Sequence, residues 1–262
     1  MNRTQIIAIV SSIVLVFALY YGCDTKPKAQ QELERSRALS AESTGEESIK
    51  AAALQRLSPA NTAEIQQLEQ QLNDAVLDTA RASALKSLSS RWYNLEEPAM
   101  AGIYAQRVAE LENTEESWSI AGTTFSICTQ RANDDQIRDF CSGRAIQSFE
   151  AAASLDPGNL RHKVNLALVY TENPPENNPM RGIQMLLELN QSNPDNVYIL
   201  NNLGRLSIQT GQYERAIERL TKVLELESDN RRAICLLANA YNGKGDQQQA
   251  AVYRQRCNEM NN

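Results

Sequence analysis

Apolar and polar positions divide the chain into three stretches of different character. Ile6 to Tyr21 is an uncharged run of sixteen residues, interrupted only by Ser11 and Ser12. At about 1.5 Å per helical residue it spans about 24 Å, short of a ~30 Å hydrocarbon core, and adding Thr4, Gln5 and Gly22 brings it near the lower limit for a spanning helix. Residues 24–60 are polar and poor in large apolar groups, and Ser40-Ala-Glu-Ser-Thr-Gly-Glu-Glu-Ser48 reads as a flexible break. Short helices around Ala29 to Leu39 and Glu46 to Leu57 would bury little. A helix start follows at Asn61-Thr-Ala-Glu64, where the spacing fits a capping box. Ile65, Leu68, Leu72, Ala75 and Val76 then place one apolar face on a helix over 61–80.

From about residue 81 the pattern repeats. Small residues recur at matched intervals: Ser89 to Ala101, Gly204 to Ala216 and Ala238 to Ala250 are 12 residues each. Ala145 to Ala167, Gly182 to Gly204 and Ala216 to Ala238 are 22 each, and Ala101 to Gly122 is 21. Small residues at such points let two antiparallel helices approach closely, and larger ones such as Trp118 with Phe149, or Leu203 with Leu220, fill the space between. Trp92, Trp118, Tyr170 and Tyr241 are read as core residues. Pro157 and Pro194 stop second helices, and Asp156-Pro-Gly-Asn159 and Asn193-Pro-Asp-Asn196 supply turns and helix starts.

The clearest copy is Trp118-Ser-Ile-Ala-Gly122-Thr-Thr-Phe125, followed by Ala145, Phe149, Ala152 and Pro157. It resembles the tetratricopeptide repeat, a helix pair of about 34 residues with W-x2-L-G-x2-Y in its first helix and A-x3-F, then Pro, in its second. Ala121 stands for the family's Leu and Phe125 for its Tyr. The resemblance implies an all-α, right-handed solenoid of about five hairpins, with repeats near 82–115, 115–159, 160–196, 197–230 and 231–262. Ahead of this domain (81–262) stand an amino-terminal membrane anchor (1–23), a partly flexible linker (24–60) and a capping helix (61–80).

Two intervals depart from the pattern. Gly122 to Ala145 is 23 residues, an insertion of eleven, and Ala167 to Gly182 is 15, an insertion of three. Both fall between the helices of one hairpin, so both are expected as loops on one edge of the solenoid. The second holds Asn173-Pro-Pro-Glu-Asn-Asn-Pro179, too rich in proline to be helical throughout.

The cysteines bear on compartment. Cys128 and Cys141 flank the first insertion, and Cys235 and Cys257 oppose each other across the last hairpin. Two bridges are expected, Cys128–Cys141 and Cys235–Cys257, with reduced, buried thiols as the alternative. Bridges place the domain in an oxidising space. The positive-inside rule nearly ties, with Arg3 before the apolar run and Lys26 and Lys28 after it. The cysteines break that tie in favour of repeats on the periplasmic or extracytoplasmic side of a single-pass anchor. A cleaved signal peptide and acylation at Cys23 stand beside the anchor as alternatives. Tyr20 occupies the place where a lipoprotein pattern has Leu.

Composition narrows the chemistry. Lys plus Arg is 26 against 32 Asp plus Glu, a net charge of −6, which is a poor footprint for nucleic acid. There is one histidine, His162, beside Arg161 and Lys163 and expected to face solvent. No phosphate loop, dinucleotide fingerprint or nucleophile elbow is present, so neither a cofactor nor an enzymatic activity is expected. The family resemblance implies a protein-interaction scaffold whose first helices line a concave groove. The groove candidates are Lys86, Tyr93, Arg161, Tyr198, Asn201, Arg205, Arg232, Asn239 and Asn242. Asparagines can pair with a peptide backbone, and arginines can grip carboxylates. Two functions follow: a membrane-tethered adaptor for a protein or peptide, or a structural, self-associating subunit of an envelope assembly.

Overall fold

A computed structural model describes residues 45–260. The proposed anchor, most of the linker and Cys23 lie outside the described residues. The chain divides into two units, Met1–Gln55 and Arg56–Asn262. Residues 45–56 are helical. Among its described residues the second unit holds eleven helices: α1 (Pro59–Asp74), α2 (Asp78–Asn94), α3 (Pro98–Glu112), α4 (Glu115–Arg131), α5 (Asp135–Leu155), α6 (Leu160–Glu172), α7 (Arg181–Ser192), α8 (Val197–Gln209), α9 (Tyr213–Leu226), α10 (Arg231–Lys244) and α11 (Gln247–Glu259). No strand occurs among the described residues. No helix among them is long and apolar enough to cross a membrane.

Local chemistry sets most helix starts. Asp134, Asn159, Asn196, Asn230 and Asp246 each accept a hydrogen bond from a first-turn backbone N–H. Thr114 and Ser117 satisfy each other's backbone at the start of α4. The helix expected over 61–80 is two helices. Ser58 caps α1 and Pro59 opens it, so Asn61 is already inside the first turn and donates its N–H to Ser58. The chain then turns at 75–77, leaving Val76 91% exposed instead of on the apolar face. That turn lets α2 fold back on α1, where Arg91 reaches Glu64 at 2.7 Å and Asn61 at 2.8 Å.

Five hairpins follow, α2–α3, α4–α5, α6–α7, α8–α9 and α10–α11, each packed on the next. Their small residues mark close approaches. A Cβ on Gly204 would lie 2.7 Å from Leu220, and one on Gly182 would lie 2.4 Å from the Ala167 carbonyl oxygen. Gly122 faces Phe149 in the same way, at 2.8 Å. The expected Trp118–Phe149 pairing is therefore corrected: Phe149 fills the space that Gly122 leaves, and Trp118 packs back toward Ala105 and Ala109 of the preceding helix. Trp92, Phe125, Leu186, Leu220 and Leu237 are fully buried in the hairpin interiors.

The eleven-residue insertion is not a loop. The connection between α4 and α5 is residues 132–134 alone. Compared with α8 (13 residues) and α9 (14), α4 (17) is four residues longer and α5 (21) is seven longer, which accounts for the insertion. Asp134 caps the restart and Phe140 sets its ring edge-on to Phe125 at 6.2 Å, so the added turns have their own packing. Cys128 and Cys141 accordingly sit inside their helices, three residues from the end of α4 and six past the start of α5. Their Cα atoms are 5.9 Å apart and the sulfurs are at disulfide distance. Cys235 and Cys257 are likewise at disulfide distance across α10 and α11, with Cα atoms 5.0 Å apart. The three-residue insertion does form a loop, 173–180, and the Asn173 amide donates to Asp139 at 2.9 Å and Ser142 at 2.8 Å on α5.

Candidate functional site

The first helices of successive hairpins present one face to a continuous depression. Between α2 and α4 lies a cavity of about 690 Å³, walled by Tyr93, Ile120 and Ile127 over a floor of serine and threonine. A second cavity of about 440 Å³ lies between α4 and α6 and extends to Tyr198 of α8. Both are lined by Glu115, Ser119, Thr123 and Ile127 of α4, so the two adjoin along that helix and are taken together as the trough. Lys86 lies at its α2 end, 2.5 Å from Glu112.

Beyond the trough the lining becomes cationic. The Arg161 guanidinium stacks over the Tyr198 ring at 4.9 Å, and the Tyr198 hydroxyl donates to Asn165 at 2.7 Å. Arg205 lies 3.9 Å from Glu172 and donates to Gln209 at 3.3 Å. Arg232 donates to the Asn202 carbonyl oxygen at 2.9 Å, while the Asn202 amide donates to the Tyr198 backbone carbonyl at 2.8 Å. Burial pushes the Arg205 guanidinium below its ordinary value; Glu172 opposes that shift and Arg232 adds to it. Arg205 stays charged, and a bound anion would relieve both its burial and its repulsion from Arg232.

Among the groove candidates, Arg161, Tyr198, Arg205 and Arg232 therefore meet in one connected cluster. Lys86 and Tyr93 lie at the other end of the trough. Asn239 and Asn242 are exposed further along α10. Asn201 is not on this face. It is 3% exposed and points its amide at Asn230, the residue capping α10, at 3.4 Å. The physical reason is register. Counted from the small residue of each first helix, positions six before (Arg161, Tyr198, Arg232), two before (Ile120, Asn165, Asn202) and one after (Thr123, Leu168, Arg205, Asn239) share the inner face. Asn201 is three before Gly204 and turns toward the next hairpin. Asn202, one residue on, is the asparagine that holds the cluster. Ile120, Asn165 and Asn202 follow from the same count, and Ile127 and Glu172, five after the small residue, lie one helical turn beyond its last position.

His162 also differs from expectation. It is 1% exposed, and its Nε2 is bonded to Glu115 at the start of α4. Arg161 and Lys163 flank it in sequence, but a helix turns by about 100° per residue, so His162 faces inward between them. The Asn159 amide donates to the same Glu115 oxygen at 3.1 Å. Glu115 thus joins α4 to the start of α6 at the floor of the second cavity.

Residues 185–218 match the family model described as tetratricopeptide repeat. This window takes in the end of α7, all of α8 and the start of α9. No curated protein sequence matches the chain. Among solved structures, a MamA crystal structure is 18% identical over 68% of this chain and 90% of its own, with a TM-score of 0.41. MamA from Desulfovibrio magneticus RS-1 is 19% identical over 69% and 94%, with a TM-score of 0.42. YrrB, described as a TPR protein with an unusual peptide-binding site, is 14% identical over 73% of this chain and 89% of its own, with a TM-score of 0.38. The chain therefore carries a tetratricopeptide repeat at 185–218, and the helix hairpins on either side of that window pack on one another in sequence.

Proposed function

We propose that this chain is a membrane-tethered, non-catalytic scaffold that holds a protein or peptide along the inner face of its first helices. The observation that carries this reading is the pair of adjoining cavities between Tyr93 and Tyr198, beside the cluster of Arg161, Arg205 and Arg232. Its walls offer exposed apolar side chains beside oriented amides and guanidinium groups, a mixture suited to an extended polypeptide. The apolar run Ile6 to Tyr21 supplies the tether. Both cysteine pairs are oxidised in this reading, which puts the repeats on the periplasmic or extracytoplasmic side.

Photo-crosslinking residues placed at Thr123 and Asn239 in the full-length protein, in cells that make it, are expected to capture a partner. The same group at Glu150, exposed on α5, is expected to capture none. Equal capture from Glu150 would reject the inner face as the binding surface. Maleimide labelling of the denatured, unreduced protein tests the compartment: four labelled repeat-domain cysteines would end the oxidised reading.

A further inference from the structure

The inner face has two chemically different halves. Around the trough, Ile120 is 54% exposed and Tyr93 43%, with Ile127 beside them. The charges there are mostly acidic. Glu112 is engaged by Lys86, Glu115 by His162 and Asn159, and Glu116 is exposed at the start of α4. Across α6, α8 and α10 the balance reverses. Arg205 meets Glu172 only at 3.9 Å, while Arg161 stacks on a ring and Arg232 bonds an amide oxygen. This concentration of positive charge sits in a protein of net charge −6, so its local field is opposite to that of the whole molecule.

Building on the reading of the inner face as a partner groove, we propose that its occupant is an extended peptide of two-part composition: apolar side chains seated between Tyr93, Ile120 and Ile127, and acidic residues at Arg161, Arg205 and Arg232. Charge complementarity fixes the direction. An acidic segment placed in the trough would face Glu112, Glu115 and Glu116, whereas at the arginines it supplies counter-charges to Arg161 and Arg232 and adds to the one Glu172 gives Arg205. Apolar residues at the arginine end would desolvate guanidinium groups without replacing their hydrogen bonds. A peptide with the two kinds of residue interleaved satisfies neither half.

The test uses fluorescein-labelled peptides of about twelve residues, roughly 40 Å when extended. One carries Leu and Phe in one half and Asp and Glu in the other, one has the same residues interleaved, and one is acidic throughout. Anisotropy is read with the full-length protein in phosphatidylcholine nanodiscs. The two-part peptide is expected to bind about tenfold tighter than the other two. Ile120→Ser is expected to remove that advantage without changing the acidic peptide, and Arg161→Gln to weaken both. Ile120 is half-exposed, and an unchanged thermal melt certifies the fold. Equal binding of the interleaved or the acidic peptide overturns the two-part proposal and leaves the inner-face reading intact, provided Arg161→Gln still weakens binding. Failure of every peptide to bind also overturns it, while the crosslinks from Thr123 and Asn239 judge the inner face independently.

Discussion

The α4–α5 and α10–α11 hairpins each carry a cysteine pair at disulfide distance, yet they are held together differently. In α4–α5 both cysteines are buried, as are Ala121, Phe125, Ala145 and Phe149 of the same hairpin. In α10–α11 the second helix contributes a single buried residue, Ala250, supported by the Tyr241–Tyr253 stack at 5.5 Å, a hydrogen bond from Arg256 to the Ser228 carbonyl and the cysteine pair. Among the described residues no helix follows α11, and its burial is small. A cross-link there ties down a helix that packing alone holds weakly. In the long hairpin it adds to packing that already exists.

The strongest way to break this contrast is Phe149→Ala. It empties the space opposite Gly122 and should destabilise the central hairpin by about 3–5 kcal/mol, read by denaturant unfolding. A loss below about 1 kcal/mol would mean that packing does not dominate there. Next, Cys128→Ala with Cys141→Ala should cost about 3 kcal/mol in the same measurement, from lost loop closure. Replacing Cys235 and Cys257 with serine should act locally. Hydrogen exchange should show amides of α11 losing protection while α4 and α5 keep theirs. Loss of protection throughout the domain would show instead that the last hairpin supports the array. The smallest effect is expected from Tyr253→Ala, about 1 kcal/mol, again confined to exchange in α11.

Much of the fold was legible because small residues at fixed intervals have one economical explanation, close contact between paired helices. Gly204 and Gly182 bear that out at their Cβ positions. The fate of the eleven added residues was not legible. A count of residues between two contact points cannot distinguish a loop from helices that continue past them, and only Asp134 and the Phe125–Phe140 contact decide it. The inner face was legible for the arginines and Tyr198, which project far from the axis. For Asn201 the choice was one residue out of register, and a single step rotates a side chain from groove to interior. His162 shows the same sensitivity: charged neighbours in sequence say little about a residue on the opposite side of the helix.

The hydrogen bonds from Asn173 to Asp139 and Ser142 make the two departures in repeat length a single architectural unit. The overhang of α5 is the wall against which the proline-rich crossover rests, so neither could be trimmed alone. Cutting α5 back to ordinary length would take Asp139 with it, leaving the next hairpin's connection to find a new path. The third repeat therefore inherits part of its shape from the second, and grafting either into another array would require moving both.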